Sequence, residues 1–482
     1  MGIASKIKTK YSTLPIGVKA AFWFTICNLL QKAVTMITLP IFTRLLSTEQ
    51  YGTFTVYQSW YSIISIIVTL NLSGGVVNTG MVKYEDRRSR FISALQGLST
   101  AVTMAFFIVY LIWHNFFNSL FQLSSVFILT MFIQLLFEPA YLFWAQRQRY
   151  EYRYKSLIAV TFIIALIGPI LGVIAVISTD YKSEARVISY ALVQICVGLV
   201  LYIVQACRGK TLFDKEMWKF ALAFNLPLVP HYLSQMILGQ SDRIMISRMV
   251  GDSQAAIYGV AYNLASVLSL LINAVNSSFV PSMYENIKNK KYKSVRKTAS
   301  FLALFMGVVI SVFILFGPEI ILLFTTKEYL QTKWIFPPVA ASVFFTFLYV
   351  MFINVEFYYE KTKYVMAVSI VGAGLNVALN FFFIEKFGYI AAGYTTVFCY
   401  ILFAVGHYAL ERVILKKKGI TQPVFDGGKL LLYSIAVLVF MTFCIFLYKY
   451  NVVRYVVIGI ITVVALINYR KIIKVIKQAL GK

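Results

Sequence analysis

The segment PIFTRLLSTEQYGTFTV, residues 40–56, is the most informative about the fold, because a related segment, RIMISRMVGDSQAAIYGV, occupies residues 243–260. Shifting the chain so that Arg44 falls on Arg248 superposes further similar side chains: Gln50 on Gln254, Phe54 on Tyr258 and Val56 on Val260. Each segment is typical of the end of a long apolar helix, a short polar turn and the start of the next helix. Repeats of this kind are typical of membrane transporters.

The composition places the chain in a membrane. Hydrophobic residues make up 59% of its 482 residues and charged residues only 13%. A bilayer-spanning helix needs about 20 apolar residues, whereas barrel strands would alternate over about ten. The sequence therefore predicts an all-α polytopic membrane protein with about 14 transmembrane helices. These lie roughly at 20–41, 53–72, 91–113, 120–144, 156–178, 187–207, 217–241, 255–280, 298–318, 334–355, 364–384, 389–410, 430–448 and 453–469.

Basic residues alternate along the connections between these spans. Most of the 45 Lys and Arg lie in the two termini and the even-numbered connections. Cytoplasmic loops carry such an excess, so both termini are predicted to be cytoplasmic. The net charge of +26 lies in short juxtamembrane loops, which indicates attraction to anionic membrane lipids rather than to nucleic acid. No signal peptide is visible at the N-terminus.

The repeat also predicts the domain organisation. The offset carries the first span onto the seventh, so six spans form each half. Six is an even number, and both halves would enter the membrane in the same direction as parallel repeats. We predict an N-terminal lobe at 1–208, a C-terminal lobe at 209–411, and two extra helices with a basic cytoplasmic tail at 412–482.

Lys32 lies about midway along the first predicted span, with Asn28 and Gln31 on nearby turns. A charge at that depth is costly and usually faces protein or a water-filled cavity. These three residues are candidates for a central cavity that attracts an anionic head group. The alternative is a lysine that snorkels to the membrane interface.

Three arginines are candidates for binding a diphosphate. Arg44 and Arg248 occupy equivalent places near the outer ends of spans 1 and 7, and Arg243 precedes Arg248 beside Asp242. Arginine can bind phosphate through paired hydrogen bonds. Interface anchoring remains the alternative, and Asp242 and Arg243 could instead neutralise each other.

The candidates for ion or proton coupling are Glu138, Asp242, Glu356 and His231. Glu138 lies deep in span 4 before Pro139, where it could bind a proton or Na+, pair with Lys32, or face lipid. Glu356 is a similar, weaker candidate. His231 stands at a kink expected from neighbouring prolines and could titrate near neutrality, or serve structure alone. His114 and His407 are expected at the membrane interface.

The sequence lacks the motifs of several kinds of enzyme and of metal-binding protein. There is no phosphate-binding loop with its lysine, no catalytic triad and no metal-ligand cluster. The five cysteines show no CxxC spacing, so packing is their expected role. We therefore expect no catalytic residue, no metal and no enzymatic activity.

Three segments resemble a known family. They are LPIFTRLLSTEQYG (39–52), the stretch from LPLVPHYLSQMILGQSDRIMISRMVG through IYGVAY and VPSMYE, and GAGLNVALNFFFIEKFGYIAAGYTTVFCY (372–400). They are similar to segments of polysaccharide-unit flippases, which carry O-antigen, capsule or exopolysaccharide repeat units. Those flippases belong to the multidrug/oligosaccharidyl-lipid/polysaccharide (MOP) exporter superfamily.

The resemblance implies two six-helix lobes with alternating access. It implies a polyprenyl-diphosphate-linked oligosaccharide moved from the cytoplasmic to the outer leaflet of a bacterial inner membrane. Coupling to H+ or Na+ and contact with a polysaccharide polymerase are further options. The competing predictions are a multidrug/cation antiporter, which would need an acidic cavity, and a polysaccharide polymerase or ligase, which would need a large outward loop.

Overall fold

The computed structural model describes residues 15–467, and every regular element in that range is helical. The basic C-terminal tail that we predicted lies outside the described residues. The helices are α1 (Ile16–Leu45), α2 (Thr48–Val68), α3 (Gly75–Lys83), α4 (Arg88–Ile112), α5 (His114–Phe121), α6 (Ser125–Tyr150), α7 (Tyr154–Ile177), α8 (Lys182–Gly209), α9 (Lys215–Asn225), α10 (Val229–Met249), α11 (Asp252–Ala265), α12 (Leu268–Lys288), α13 (Tyr292–Leu315), α14 (Gly317–Phe324), α15 (Phe336–Tyr358), α16 (Thr362–Phe387), α17 (Ile390–Lys417), α18 (Gly427–Leu447) and α19 (Asn451–Ile467).

Within residues 15–467, eleven helices are long and apolar enough to cross a membrane. The other three predicted spans fall on helices that are more polar, broken or shorter. The span at 53–72 is α2, which carries the polar residues Gln58 and Ser59. The span at 217–241 is divided between α9 and α10 by the 3-10 turn Leu226–Leu228, and the last is the 17-residue α19. The all-α membrane fold is confirmed.

The chain forms two compact units, Met1–Ile244 and Met245–Lys482, which we call unit 1 and unit 2. The division falls inside α10. The helix α9 belongs to unit 1, where it packs against α3 and α4. The predicted domain limits of 1–208, 209–411 and 412–482 remain a prediction.

Helix boundaries reproduce the repeat that the sequence predicts. The offset that carries Arg44 onto Arg248 also carries the turn between α1 and α2 onto the turn between α10 and α11, and the start of α4 onto the start of α13. The 3-10 segment Lys327–Trp334 then intervenes before α15. Beyond this segment a larger offset relates the two halves. It carries the first residue of α8 onto the first residue of α17, and the last residue of α8 onto the last residue of α17. The second half therefore contains an insertion of about one helical turn.

Equivalent helix pairs form the core of each unit, α6 with α8 in unit 1 and α15 with α17 in unit 2. Gly198 in α8 lies so close to α6 that a Cβ there would overlap the Phe137 carbonyl oxygen. Small residues permit this approach between membrane helices. On α7, apolar side chains such as Ile170 and Ile174 are exposed, and a bilayer would cover them.

Local side-chain bonds set the ends of several helices. At α2, the Ser47 hydroxyl accepts from the Gln50 backbone and the Gln50 side chain accepts from the Ser47 backbone, which forms a capping box. At the end of α9, Asn225 is fully buried and donates to the carbonyls of Leu70 and Asn71. This amide therefore ties α9 to the connection between α2 and α3.

Candidate functional site

Unit 1 contains a carboxylate surrounded by hydrogen-bond donors. Glu138 lies in the middle of α6, and its Oε2 accepts from the Tyr61 hydroxyl and, at 2.8 Å, from the Gln134 amide. The amide of Gln194, assigned from its partners, donates to the same carboxylate at 2.8 and 2.9 Å and accepts from Tyr190 at 3.0 Å. Three helices, α2, α6 and α8, thus converge on one half-buried acid.

Two further sets of polar contacts lie along α2 in unit 1. Gln134 is fully buried and accepts from the Tyr57 hydroxyl at 3.2 Å. Farther along α2, the Ser59 hydroxyl donates to Gln240 of α10 at 3.3 Å. Gln240 in turn accepts from Arg243. The tyrosines near Glu138 could not be predicted from the sequence, because aromatic residues in a membrane helix usually indicate packing or interface.

The charged and polar residues that the sequence singled out in α1 and α10 differ in their exposure to solvent. Arg243 and Asp242 are buried in α10, whereas Arg44 and Arg248 are exposed in the last turns of α1 and α10. Arg44 donates to the carbonyl of Pro40 at 2.7 Å. On α1, Lys32 is half-buried and its neighbours Asn28 and Gln31 are exposed. Substrate contact by these predicted cavity residues remains a prediction.

A second acid is buried in unit 2. Glu356 at the end of α15 lies 2.7 Å from His407 Nδ1 on α17, and both side chains are fully buried. We expected His407 at the membrane interface; the structure encloses its ring between α15 and α17, and its depth in the membrane stays a prediction. Glu411, one turn farther along α17, is also fully buried.

The two acids have no acidic counterpart in the other repeat. The larger offset, which relates α8 to α17, places Thr346 at the position of Glu138, and Gln148 at the position of Glu356. Each acid is therefore a departure from the repeat. Sequence spacing by itself did not reveal it, because the offset changes in the middle of the second half.

Sequence analysis also missed Arg186, which it counted as a loop residue. The guanidinium lies near the start of α8, 3.7 Å from the centre of the Phe42 ring and 4.4 Å from that of Phe54. Its exposed fraction is 7%. Stacking on aromatic faces offsets part of the cost of burying this charge. The available signal was a basic residue in one of the connections that are otherwise poor in them.

The remaining coupling candidate, His231, is half-buried in the first turn of α10. Within the part of the chain that the structure describes, its Nδ1 has no hydrogen-bond partner. Over the same range, no group of three or more His, Cys, Asp and Glu side chains could hold a metal ion. The coupling roles of Glu138, Asp242, Glu356 and His231 stay predictions.

Comparison with known proteins gives the class and the family. A family model described as polysaccharide biosynthesis protein matches residues 18–287, and the MatE model matches residues 227–382. Protein 1 of the Lsg locus of Haemophilus influenzae is 25% identical over 369 residues, which cover 74% of this chain and 88% of that protein. An uncharacterized membrane protein of the same organism is 24% identical over 363 residues, covering 73% and 87%.

Solved structures share the fold. The lipid II flippase MurJ in an inward closed conformation has a TM-score of 0.68 at 16% identity, covering 93% of this chain and 99% of that one. An inward-facing multidrug resistance MATE family transporter of the MOP superfamily has a TM-score of 0.61 at 13% identity, covering 82% and 96%. The helices define a multi-pass membrane protein, and its fold is similar to those of the MurJ flippase and of a MATE transporter of the MOP superfamily. Within that class, the chain belongs to the polysaccharide biosynthesis protein family.

Proposed function

We propose that this protein is a flippase for a polyprenyl-diphosphate-linked oligosaccharide repeat unit. It moves that unit from the cytoplasmic to the outer leaflet of a bacterial inner membrane, for surface polysaccharide synthesis, by alternating access. The observation that carries the proposal is the match of residues 18–287 to the polysaccharide biosynthesis family. The likeness to a lipid II flippase over almost the whole chain supports it.

The physical problem for such a substrate is its polar head. A diphosphate and a sugar chain cannot cross hydrocarbon unpaired, because each unsatisfied polar group costs several kcal/mol. In this proposal, Lys32, Arg44, Arg243 and Arg248 attract the diphosphate, and the amides of Asn28 and Gln31 replace water around the sugars. Flipping is substrate binding followed by a conformational change, so the protein acts without catalytic residues. A polysaccharide polymerase would then use the delivered unit.

The coupling ion in this proposal is a proton. The polar groups around Glu138 point N–H and O–H donors at the carboxylate. Na+ instead prefers several acceptor oxygens, as other hard cations do. At Glu356 the contact is with a ring nitrogen of His407 rather than with oxygens. These donors stabilise the charged carboxylate, so in this proposal proton uptake accompanies a rearrangement of the groups that face it.

Deletion of the gene tests the proposal. Surface polysaccharide should disappear while lipid-linked repeat units accumulate on the cytoplasmic side, and the wild-type gene should restore export. Complementation with Lys32→Ala should fail at normal protein abundance, because the cationic group in the middle of α1 is lost. Lys19→Ala, on the same helix near its start, is the matched control and should complement. Normal surface polymer in the deletion strain would contradict the flippase.

A multidrug/cation antiporter is the second candidate, because the MatE model matches residues 227–382. An antiporter would export cationic compounds, and its loss would sensitise cells to them. The same deletion strain therefore separates the two functions. Increased sensitivity to cationic drugs with unchanged surface polysaccharide would favour the antiporter.

A further inference from the structure

Unit 2 contains a cavity of about 630 Å³ among α13, α15, α17 and α18. Its walls are largely apolar. They include Phe345 and Leu348 from α15, Ile401 from α17, and Ile435 and Leu438 from α18. The Ile435 side chain is 50% exposed, and Leu431, at the same opening, is 62% exposed. Because these residues belong to membrane-spanning helices, the cavity opens toward lipid.

One end of the cavity is basic. Arg296, in the first turns of α13, and Arg412, near the end of α17, both line it. Arg296 Nε donates to the carbonyl of Pro423 at 3.2 Å, a neutral acceptor that does not cancel its charge. Within residues 15–467, neither guanidinium lies within 4.0 Å of a carboxylate. Basic pockets between membrane helices are known to bind anionic lipid head groups.

The acid at this end is already satisfied. Asp426 accepts from the Lys429 backbone at 3.2 Å and lies 3.4 Å from the Lys429 ammonium group. The backbone hydrogen bond from Lys429 holds the pKa of Asp426 below its usual value, so the carboxylate is charged at neutral pH. Lys429 is its ion-pair partner, Arg296 adds a weaker attraction, and neither arginine is within ion-pair distance of it.

The depth of the cavity fits one acyl chain. Along α18 it extends from Gly427 at the basic end to Leu438. This length of helix rises roughly 16 Å, at about 1.5 Å per residue. One leaflet contributes about half of the ~30 Å hydrocarbon core. The cavity therefore reaches from the interface to near the middle of the bilayer.

We propose that this cavity binds one anionic glycerophospholipid of the surrounding membrane. Its phosphate lies between Arg296 and Arg412, and an acyl chain fills the groove between α17 and α18. The bound lipid holds α18 against the other three helices and stabilises unit 2. This site is separate from the transported substrate and does not depend on the proposed function.

Lipid binding by the purified full-length protein tests the proposal. Native mass spectrometry in detergent, with dioleoyl phosphatidylglycerol added, should show one lipid retained more tightly than dioleoyl phosphatidylcholine. Arg296→Gln with Arg412→Gln should weaken that binding about tenfold or more, because two cations near the phosphate are lost. The matched control is Lys288→Gln with Lys293→Gln, which removes the same charge from exposed positions outside the cavity. That control should bind as the wild type does.

A second variant keeps the charges and blocks the chain. Ile435→Trp places a larger side chain at the exposed opening, so it should fold, retain both arginines and lose the tight lipid. The proposal is overturned if phosphatidylcholine binds equally well, or if the arginine variant binds unchanged. It is also overturned if glycerol phosphate, which has no acyl chains, competes as well as the phospholipid. Retention of a polyprenyl phosphate but not of phosphatidylglycerol would overturn it too.

Discussion

Single residues in this protein have two main roles, close packing and placement of charge. Glycine illustrates the first. Gly198 faces the backbone of α6, whereas at Gly374 in α16 a Cβ would meet nothing within 4 Å. Both are helical glycines and look alike in the sequence. Only the position of the neighbouring helix separates them.

The first residue-scale prediction uses this pair. Gly198→Ala should destabilise the protein by about 2 kcal/mol, because the added methyl group forces α8 away from the Phe137 carbonyl. Gly374→Ala is the control and should be neutral or stabilising, since alanine is the better helix former. Thermal unfolding in detergent measures both. Equal effects of the two substitutions would show that α6 and α8 are not in such close contact.

The second residue-scale prediction concerns Glu138. Glu138→Gln keeps the shape of the side chain but removes its titration, so export should fall at least about tenfold at normal abundance if a proton is carried there. Thr346→Ala, at the equivalent position of the other half, is the control and should export normally. Measurement of surface polysaccharide in a complemented deletion strain gives the result. Full export by Glu138→Gln would exclude proton coupling through this acid.

At the scale of elements, the breaks between helices and the contacts that connect them determine features of the fold that hydropathy does not predict. We expected a kinked span at 217–241, and the structure ends α9 and restarts the chain as α10 around the 3-10 turn Leu226–Leu228. Proline at residue 227 removes a backbone donor at this point. The prolines thus indicated the position of the break. No pattern in the sequence indicated that Asn225, just before it, would bind the α2–α3 connection.

Asn225 provides the element-scale prediction. Asn225→Ala should lower stability by about 2 kcal/mol, because the carbonyls of Leu70 and Asn71 lose their buried donor. Limited proteolysis should then cut the α2–α3 connection faster than in the wild type. Asn286→Ala, on the partly exposed end of α12, removes an amide bonded only within its own helix turn and is the control. Identical cleavage rates in the two variants would show that Asn225 does not hold this joint.

At the scale of the whole molecule, the distribution of basic residues predicts how the chain crosses the membrane. Even-numbered connections should lie in the cytoplasm with both termini. A reporter that is active only in the periplasm should therefore be silent when fused within residues 285–297. A fusion in the connection after α1, near Ser47, is the matched control and should be active. Activity at 285–297 would reverse the proposed orientation.

Much of the fold could be predicted from the sequence, because long apolar helices and a repeat leave local signals. The candidate site was less predictable. The sequence indicated Lys32 and Glu138, and the equivalent residues Arg44 and Arg248, as charges inside or beside apolar segments. Tyr61, Gln194 and the burial of His407 were not recognised, because each depends on a partner on another helix that is distant in the chain.

Hydropathy and spacing along the chain were sufficient to establish the class of protein, most of the helical spans and the two related halves. These features depend on neighbouring residues and on the bilayer as solvent. Which acids are buried, and what surrounds them, followed only from the packing of the helices. Glu138 and Glu356 owe their environments to helices that meet only after folding, because a buried charge is stabilised by partners in space rather than in sequence.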